Sequence, residues 1–394
     1  MTVLFDEARE LRERLVAVRR ELHACAEVGL DLPRTQAVIQ RELAELDLEV
    51  STGVGLSSVT AVLRGAHAGP TVLLRGDMDA LPVDEKTGLP FAATSGAMHA
   101  CGHDLHMAGL LGAAHLLSAH RDDLHGDVIF MFQPGEEGYA GAKHMIDEGV
   151  LTAAGEKPVA AYALHVDSMT PWGTFVTREG SIMASVSTAY LTVRGTGGHA
   201  AMPHHAIDPV PVAAEIVLAI QSFAARRIPV MDPAVISVTR ITSDSDAGNV
   251  LSGSVTLEAN IRSVSRETLA LVRDGLPALL SGIAVAHGCE LDVEFVDSYP
   301  VTYNDPAETR LVLETLDELH GADRVQRLAA PSMASEDFAY VLDEVPGTLL
   351  FLGVAPEGEQ APMHSDRVIF DDALLDLHAS TLAELARRRL LVGR

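Results

Sequence analysis

Apolar residues recur at helical spacing early in the chain, at Leu11, Leu15, Val16, Val18 and Leu22, and predict an amphipathic helix over residues 8–23. Asp31, with Pro33 behind it, opens a second predicted helix that runs to about residue 48. The pattern then changes. Residues 59–63, 71–74, 128–132 and 161–166 are short, nearly continuous apolar runs, the kind found in strands covered on both faces. Residues 107–119 and 141–148 lie between them and read as helices. Strands alternating with helices predict an open α/β sheet, mixed but largely parallel and flanked by helices. Sheets of this type bind ligands beyond the carboxyl ends of their strands.

From residue 187 the rhythm is different. An alternating strand over 187–193 precedes a helix capped by Asp208 and Pro209 and reaching about Arg227. Strands over 234–241 and 254–262 follow, then a helix from Ser265 with Pro277 as an expected kink, then a strand over 290–296. The order β-α-β-β-α-β is that of a ferredoxin-like α+β unit. Helices over 311–319, 338–342 and 373–389 and a buried strand over 348–354 complete the chain. The reading is therefore a catalytic domain in two parts, residues 1–180 and 298–394, with a lid or dimerisation domain inserted over 181–297.

Composition narrows the function. With 394 residues, 47% of them hydrophobic, the chain can bury two cores. Its 29 Lys and Arg stand against 55 Asp and Glu, a formal charge of −26 that repels phosphate backbones and anionic lipid. Nucleic acid and membrane are thus not expected as partners. Cys25, Cys101 and Cys289 form no CxxC pair, and the first 20 residues lack a basic-then-apolar leader. No disulfide is expected, and a cytoplasmic location is.

Most of the 17 histidines are isolated and carry no role on sequence grounds. Cys101 and His103 differ, because they lie two apart in a glycine-containing loop from which both can point at one centre. Asp104 is expected to orient one of these ligands from behind. Glu136 and Glu137 follow the predicted strand 128–132. On an extended segment successive side chains point in opposite directions, so one can hold a metal while the other faces substrate. His165 ends the next strand, and His364 sits in a loop after the last. Thiolate, imidazole and carboxylate suit a borderline divalent ion, and an uncoordinated carboxylate can act as general base. The segment from Gly195 to His204 has no Walker lysine and no dinucleotide fingerprint, so it reads as a turn or as a loop presenting His199.

These motifs, in this order, closely resemble the aminoacylase and carboxypeptidase superfamily of co-catalytic metallohydrolases. Within it they resemble the amidohydrolase branch that includes hippurate hydrolases and indoleacetyl-amino-acid hydrolases. The resemblance runs from Arg75-Gly76-Asp77-Met78-Asp79-Ala80-Leu81-Pro82 through Cys101-Gly102-His103-Asp104, Gln133-Pro134-Gly135-Glu136-Glu137 and Leu164-His165. It continues at Gly197-Gly198-His199, Ser335-Glu336-Asp337-Phe338 and His364-Ser365. It implies two divalent ions, zinc or manganese, held by Cys101, His103, Glu137, His165 and His364, with Glu136 as general base. It further implies Asp79 as a supporting carboxylate, His199 as the oxyanion-stabilising lid histidine, and Asn249 and Arg262 as substrate-binding residues of the lid. In the carboxypeptidase branch a histidine stands where this chain has Asp77, and the small residues usual before Arg262 are here Ala259 and Asn260.

The function so implied is metal-dependent cleavage of an N-acyl amino acid to a carboxylic acid and a free amino acid, with closure of the lid and a homodimer or higher homo-oligomer. Two alternatives stand beside it. One is an exopeptidase or dipeptidase in which Glu336 or Asp337 binds a free N-terminal ammonium. The other is a non-catalytic metal-binding protein on the same fold.

Overall fold

The computed structural model describes residues 3–355, 358 and 360–392. They form two compact units, the larger comprising Met1–Ile182, Tyr303–Ala330 and Glu336–Arg394, the smaller Met183–Thr302 and Pro331–Ser335.

The larger unit is built on an eight-stranded sheet. Its spatial order is Glu49–Thr52, Val59–Leu63, His125–Gln133, His67–Asp77, Ala160–Asp167, Gly347–Gly353, Phe175–Thr177, Val325–Arg327. The four central strands are mutually parallel, and antiparallel pairs lie on both sides of them. The sheet is thus mixed and largely parallel. Val72, Leu73 and Leu74 are all fully buried, which explains why this part of the sequence shows no alternation. Helices Val3–Ala24, His103–Ala119 and Leu375–Leu391 pack together, and the latter two also lie on the sheet. Parallel register brings Asp77 opposite Gln133, and Asp167 opposite Gly353. The carboxyl ends of the four central strands therefore share one edge.

Two local expectations are revised. The second helix is Pro33–Leu43, and the residues after it become the edge strand Glu49–Thr52, whose four residues are all exposed and leave no burial pattern in the sequence. The helix expected from residue 107 begins at His103. Pro277 lies inside the helix Arg266–Ala286.

The smaller unit carries an antiparallel sheet in the order Ala234–Ser243, Ser254–Ser263, Ser185–Arg194, Glu290–Tyr299. Helices Pro209–Arg227 and Arg266–Ala286 pack on it. Asp208 caps the first by accepting the Val210 amide at 3.0 Å. By length and composition both helices could cross a bilayer. Both bury one stripe in this unit's core, through Val212, Ile216, Ile220 and Phe223 and through Val272, Leu276, Leu280 and Ala284.

Candidate metal centre

Gly102 sets the geometry of the first loop. Its φ of +83° is a left-handed conformation, and a Cβ there would stand 2.3 Å from a methyl carbon of Val166. Only glycine meets both conditions. The turn places Cys101 just outside, and His103 at the start of, the helix His103–Ala119.

The internal hydrogen bonds then decide which atoms are left for a metal. His103 donates from Nδ1 to the Asp79 carbonyl at 2.8 Å, and its buried Nε2 makes no hydrogen bond, with Asp77 Oδ2 3.6 Å away. His165 donates from Nδ1 to the Val166 carbonyl at 2.6 Å, which turns its Nε2 toward Cys101 Sγ, 3.6 Å away. Such bonds fix the tautomer and aim of a metal-binding imidazole. Glu137 Oε1, buried without a hydrogen bond, lies 3.3 Å from Nε2 of His364. Cys101, Glu137 and His364 each present a donor atom within 4.8 Å of the others, as do His103, Glu136 and Glu137. His364 has φ +68°, unusual for a residue with a side chain, and its amide is tied to the Ala100 carbonyl at 2.8 Å. Backbone held this way costs ~1–3 kcal/mol and tends to gather at functional sites.

Electrostatics agree with a thiolate–imidazolium set awaiting a cation. Burial raises the Cys101 thiol, but His165 and His103 outweigh it and bring its pKa down to about 6. Burial lowers His165, yet the Cys101 thiolate raises it to about 9. The neighbouring Cys101 thiolate and Glu137 carboxylate lift His364 to about 10. A divalent ion bound there would take the place of those imidazole protons. One thiolate, three imidazoles and a carboxylate, supplied by elements that converge on one sheet edge, fit two borderline divalent ions.

Asp79 spends its carboxylate on the amides of Glu136 and Glu137, at 2.9 and 3.0 Å. It therefore fixes the acidic pair as well as the His103 ring. That pair sits in a turn and not on an extended segment, so both carboxylates reach the neighbourhood of His103, where opposed directions were expected. Burial, followed by Glu336 and Glu137, drives the Glu136 pKa well above its ordinary value.

Asp104 does not orient a ligand. Its carboxylate is paired at 2.7 Å with Arg19 and at 2.7 Å with His23, and it accepts the Leu105 amide at 3.0 Å. Consecutive helical residues diverge by ~100°, which turns Asp104 away from the direction of His103. Glu336 and Asp337 are also committed: both accept from Arg75 Nη2, at 2.8 and 3.1 Å, and Asp337 further binds Gln133 and the Ala142 amide.

Sequence reasoning missed His106 and Arg75. His106 donates to Asp77 Oδ1 at 2.5 Å, while its Nε2 accepts the Val166 amide at 2.8 Å. Both ring nitrogens are spent, so His106 cannot ligate. It braces the strand that carries His165. Arg75, 3% exposed, holds Gln133, Asp77, Glu336 and Asp337 together. The departure at Asp77 is thereby explained, because its two oxygens serve His106 and Arg75.

In the smaller unit, His199 lies in the short strand Gly198–His199 paired with Val250–Leu251, so Asn249 is its near neighbour. Both residues are exposed. The Ala201 amide donates to His199 Nδ1 at 3.1 Å, which leaves Nε2–H as the outward donor. Arg262 is half-buried, bonded to Asn260, the Met333 carbonyl and Ser335, with no carboxylate partner among the described residues. Burial lowers its pKa.

Comparison with known proteins agrees with this arrangement. Residues 73–388 match peptidase family M20/M25/M40. Thermostable carboxypeptidase 1 of Saccharolobus solfataricus is 36% identical, over 97% of this chain and 97% of its own. The N-acetyldiaminopimelate deacetylase of a Geobacillus species is 34% identical over 93% of this chain and 96% of its own. Among solved structures, the YXEP protein of Bacillus subtilis, described as a dinuclear metal binding peptidase from the M20 family, superposes with a TM-score of 0.85 at 30% identity. That superposition covers 97% of this chain and 99% of the other. Because the family match takes in well over half of the chain and the likeness to these relatives nearly all of it, the protein belongs to peptidase family M20/M25/M40.

Proposed function

We propose that the protein is a metal-dependent amidohydrolase that cleaves N-acyl amino acids to a carboxylic acid and a free amino acid. One observation carries the reading. Once the internal hydrogen bonds are assigned, Cys101, His103, Glu137, His165 and His364 are left with donor atoms turned toward one another, beside the buried carboxylate of Glu136. The relatives named a deacetylase and a carboxypeptidase support an amide substrate.

Divalent ions, when bound, polarise the scissile carbonyl and lower the pKa of water toward ~7. The five donors would hold them, and the thiolate favours zinc or another borderline ion over magnesium or calcium. Glu136 takes the proton of the attacking water and passes it to the leaving nitrogen, a role suited to a carboxylate with a raised pKa. His199 donates from Nε2–H to the oxyanion. Arg262, a cation without a carboxylate of its own, binds that of the substrate, and Asn249 assists beside His199.

Exposure along the edge strand Ala234–Ser243, with Val235 44% and Ile241 55% exposed, supports a homodimer through this strand. Light scattering tests it, and a monomer across the working concentration range would refute it.

A peptide substrate with a free C-terminus is the second reading, favoured by the carboxypeptidase relative. A dipeptidase that grips a free ammonium through Glu336 or Asp337 loses support, since Arg75 already occupies both. Rates on N-acetyl and N-benzoyl amino acids, their carboxamides and simple dipeptides separate the cases. N-acyl amino acids should lead, with kcat/KM falling roughly tenfold to a hundredfold when the carboxylate is amidated. Preference for dipeptides would refute the proposal.

A further inference from the structure

The larger unit has a second cavity whose charge runs against the rest of the molecule. In a chain of net charge −26, a cavity of about 780 Å³ is lined by Glu7, Glu10, Glu45, Asp47 and Asp122 against Arg121, as the composition leads one to expect. Another, of about 460 Å³, is lined by Arg9, Arg12 and Arg324 with Asp376 as its one acidic residue. Arg12 is paired with Asp376. Arg9 and Arg324 have no ion pair among the described residues, so the cavity carries two unspent guanidinium groups.

Part of its wall is apolar. Phe5, Trp172 and Leu377 line it, and Trp172 is 46% exposed although its indole N–H is held by Asp371 at 2.9 Å. Arg9 stands over the Phe5 ring at 6.0 Å, and Arg324 Nη1 lies over Gly173, where a Cβ would meet it at 3.4 Å. His320, also on the wall, is stacked on Phe175 at 4.7 Å and bonded to Thr381 at 3.2 Å. Burial and Arg324 bring its pKa down to about 4, so near neutrality it adds an uncharged ring. The volume falls within the range of small-molecule sites, roughly 300–1,000 Å³. None of the donors assigned to the metal centre lines this cavity.

We propose that this cavity is a second binding site, for a small organic carboxylate that carries an apolar ring or chain. The guanidinium forks of Arg9 and Arg324 pair with the carboxylate, and Phe5, Trp172 and Leu377 cover the apolar body. A bare inorganic anion would use only the first feature, and a neutral hydrocarbon only the second.

Trp172 is the one tryptophan of the chain, so its emission reports on this cavity directly. The full-length protein is titrated with cyclohexanecarboxylate, with cyclohexylmethanol and with inorganic phosphate, and the carboxylate titration is repeated on the double variant R9Q/R324Q. The carboxylate should give a saturable change with Kd of ~1 mM or tighter, weakened at least ~10-fold in the variant, with phosphate and the alcohol each binding at least ~10-fold more weakly. Unchanged hydrolytic activity of the variant certifies its fold. No saturable change below ~20 mM, equal affinity in R9Q/R324Q, or equal binding of the alcohol or of phosphate would overturn the proposal.

Discussion

Cys101 Sγ faces His165 Nε2 at 3.6 Å, a thiolate against an imidazolium across which a cation belongs. The thiol pKa is drawn down to about 6, while His165 and His364 are raised to about 9 and about 10. At neutral pH the metal-free protein thus holds both imidazoles protonated, and metal uptake must expel those protons. Apparent affinity should rise with pH by roughly tenfold per unit for each proton displaced, until the pH passes about 9 to 10. Chelator competition at several pH values checks this, and a flat profile would contradict it.

Asp104, with Arg19 and His23, forms a buried charge cluster of the larger unit, each residue no more than 1% exposed. Burial opposes both ionisations. Arg19 and His23 nonetheless hold Asp104 well below the usual carboxylate range, and Asp104 raises His23. The Asp104 contribution is present above its unfolded pKa of ~3.9 and is lost as pH falls toward its folded value. That of His23 is full below ~6.5 and is lost as pH rises through its raised folded value. Stability from the cluster is therefore greatest between ~3.9 and ~6.5. Asp104→Asn should cost about 3–5 kcal/mol in denaturant unfolding with metal content retained. Loss of metal at unchanged stability would restore Asp104 as a ligand-orienting residue.

His106 acts on the metal through His165. Replacing it with Phe removes the acceptor for the Val166 amide and the donor to Asp77, so the strand end that aims His165 loosens. Metal affinity should fall about 10–100-fold, the usual cost of losing a group that positions a ligand. His106→Asn, which keeps a donor and an acceptor, should recover part of it. Unaltered affinity in the Phe variant would remove His106 from the account.

The sheet was legible because its central strands are buried on both faces and so read as continuous apolar runs, with Val72 to Leu74 as the clearest case. The strand Glu49–Thr52 was not, because all of it is exposed. At the centre, Cys101, His103, Glu136, Glu137 and His165 could be picked out as residues following strands or a glycine turn, while His364 depended on family resemblance. His106 escaped notice because the helix was expected to begin at residue 107. With the start at His103, the two histidines are i, i+3 neighbours on one helical face, their rings 5.4 Å apart. The pairing of Arg75 with Glu336 and Asp337 could not be read, since those residues are about 260 positions away in sequence. Asp104 was misassigned because adjacency to His103 in sequence is divergence on a helix.

The claim that metal-dependent hydrolysis turns on Glu136 is tested most directly by Glu136→Gln, with bound metal quantified beside turnover of an N-acyl amino acid. The amide matches the carboxylate in size but cannot carry the proton. The account predicts two bound ions per chain, as in the wild type, and a loss of kcat of ~100- to 10,000-fold. Turnover near the wild-type rate with full metal would contradict it.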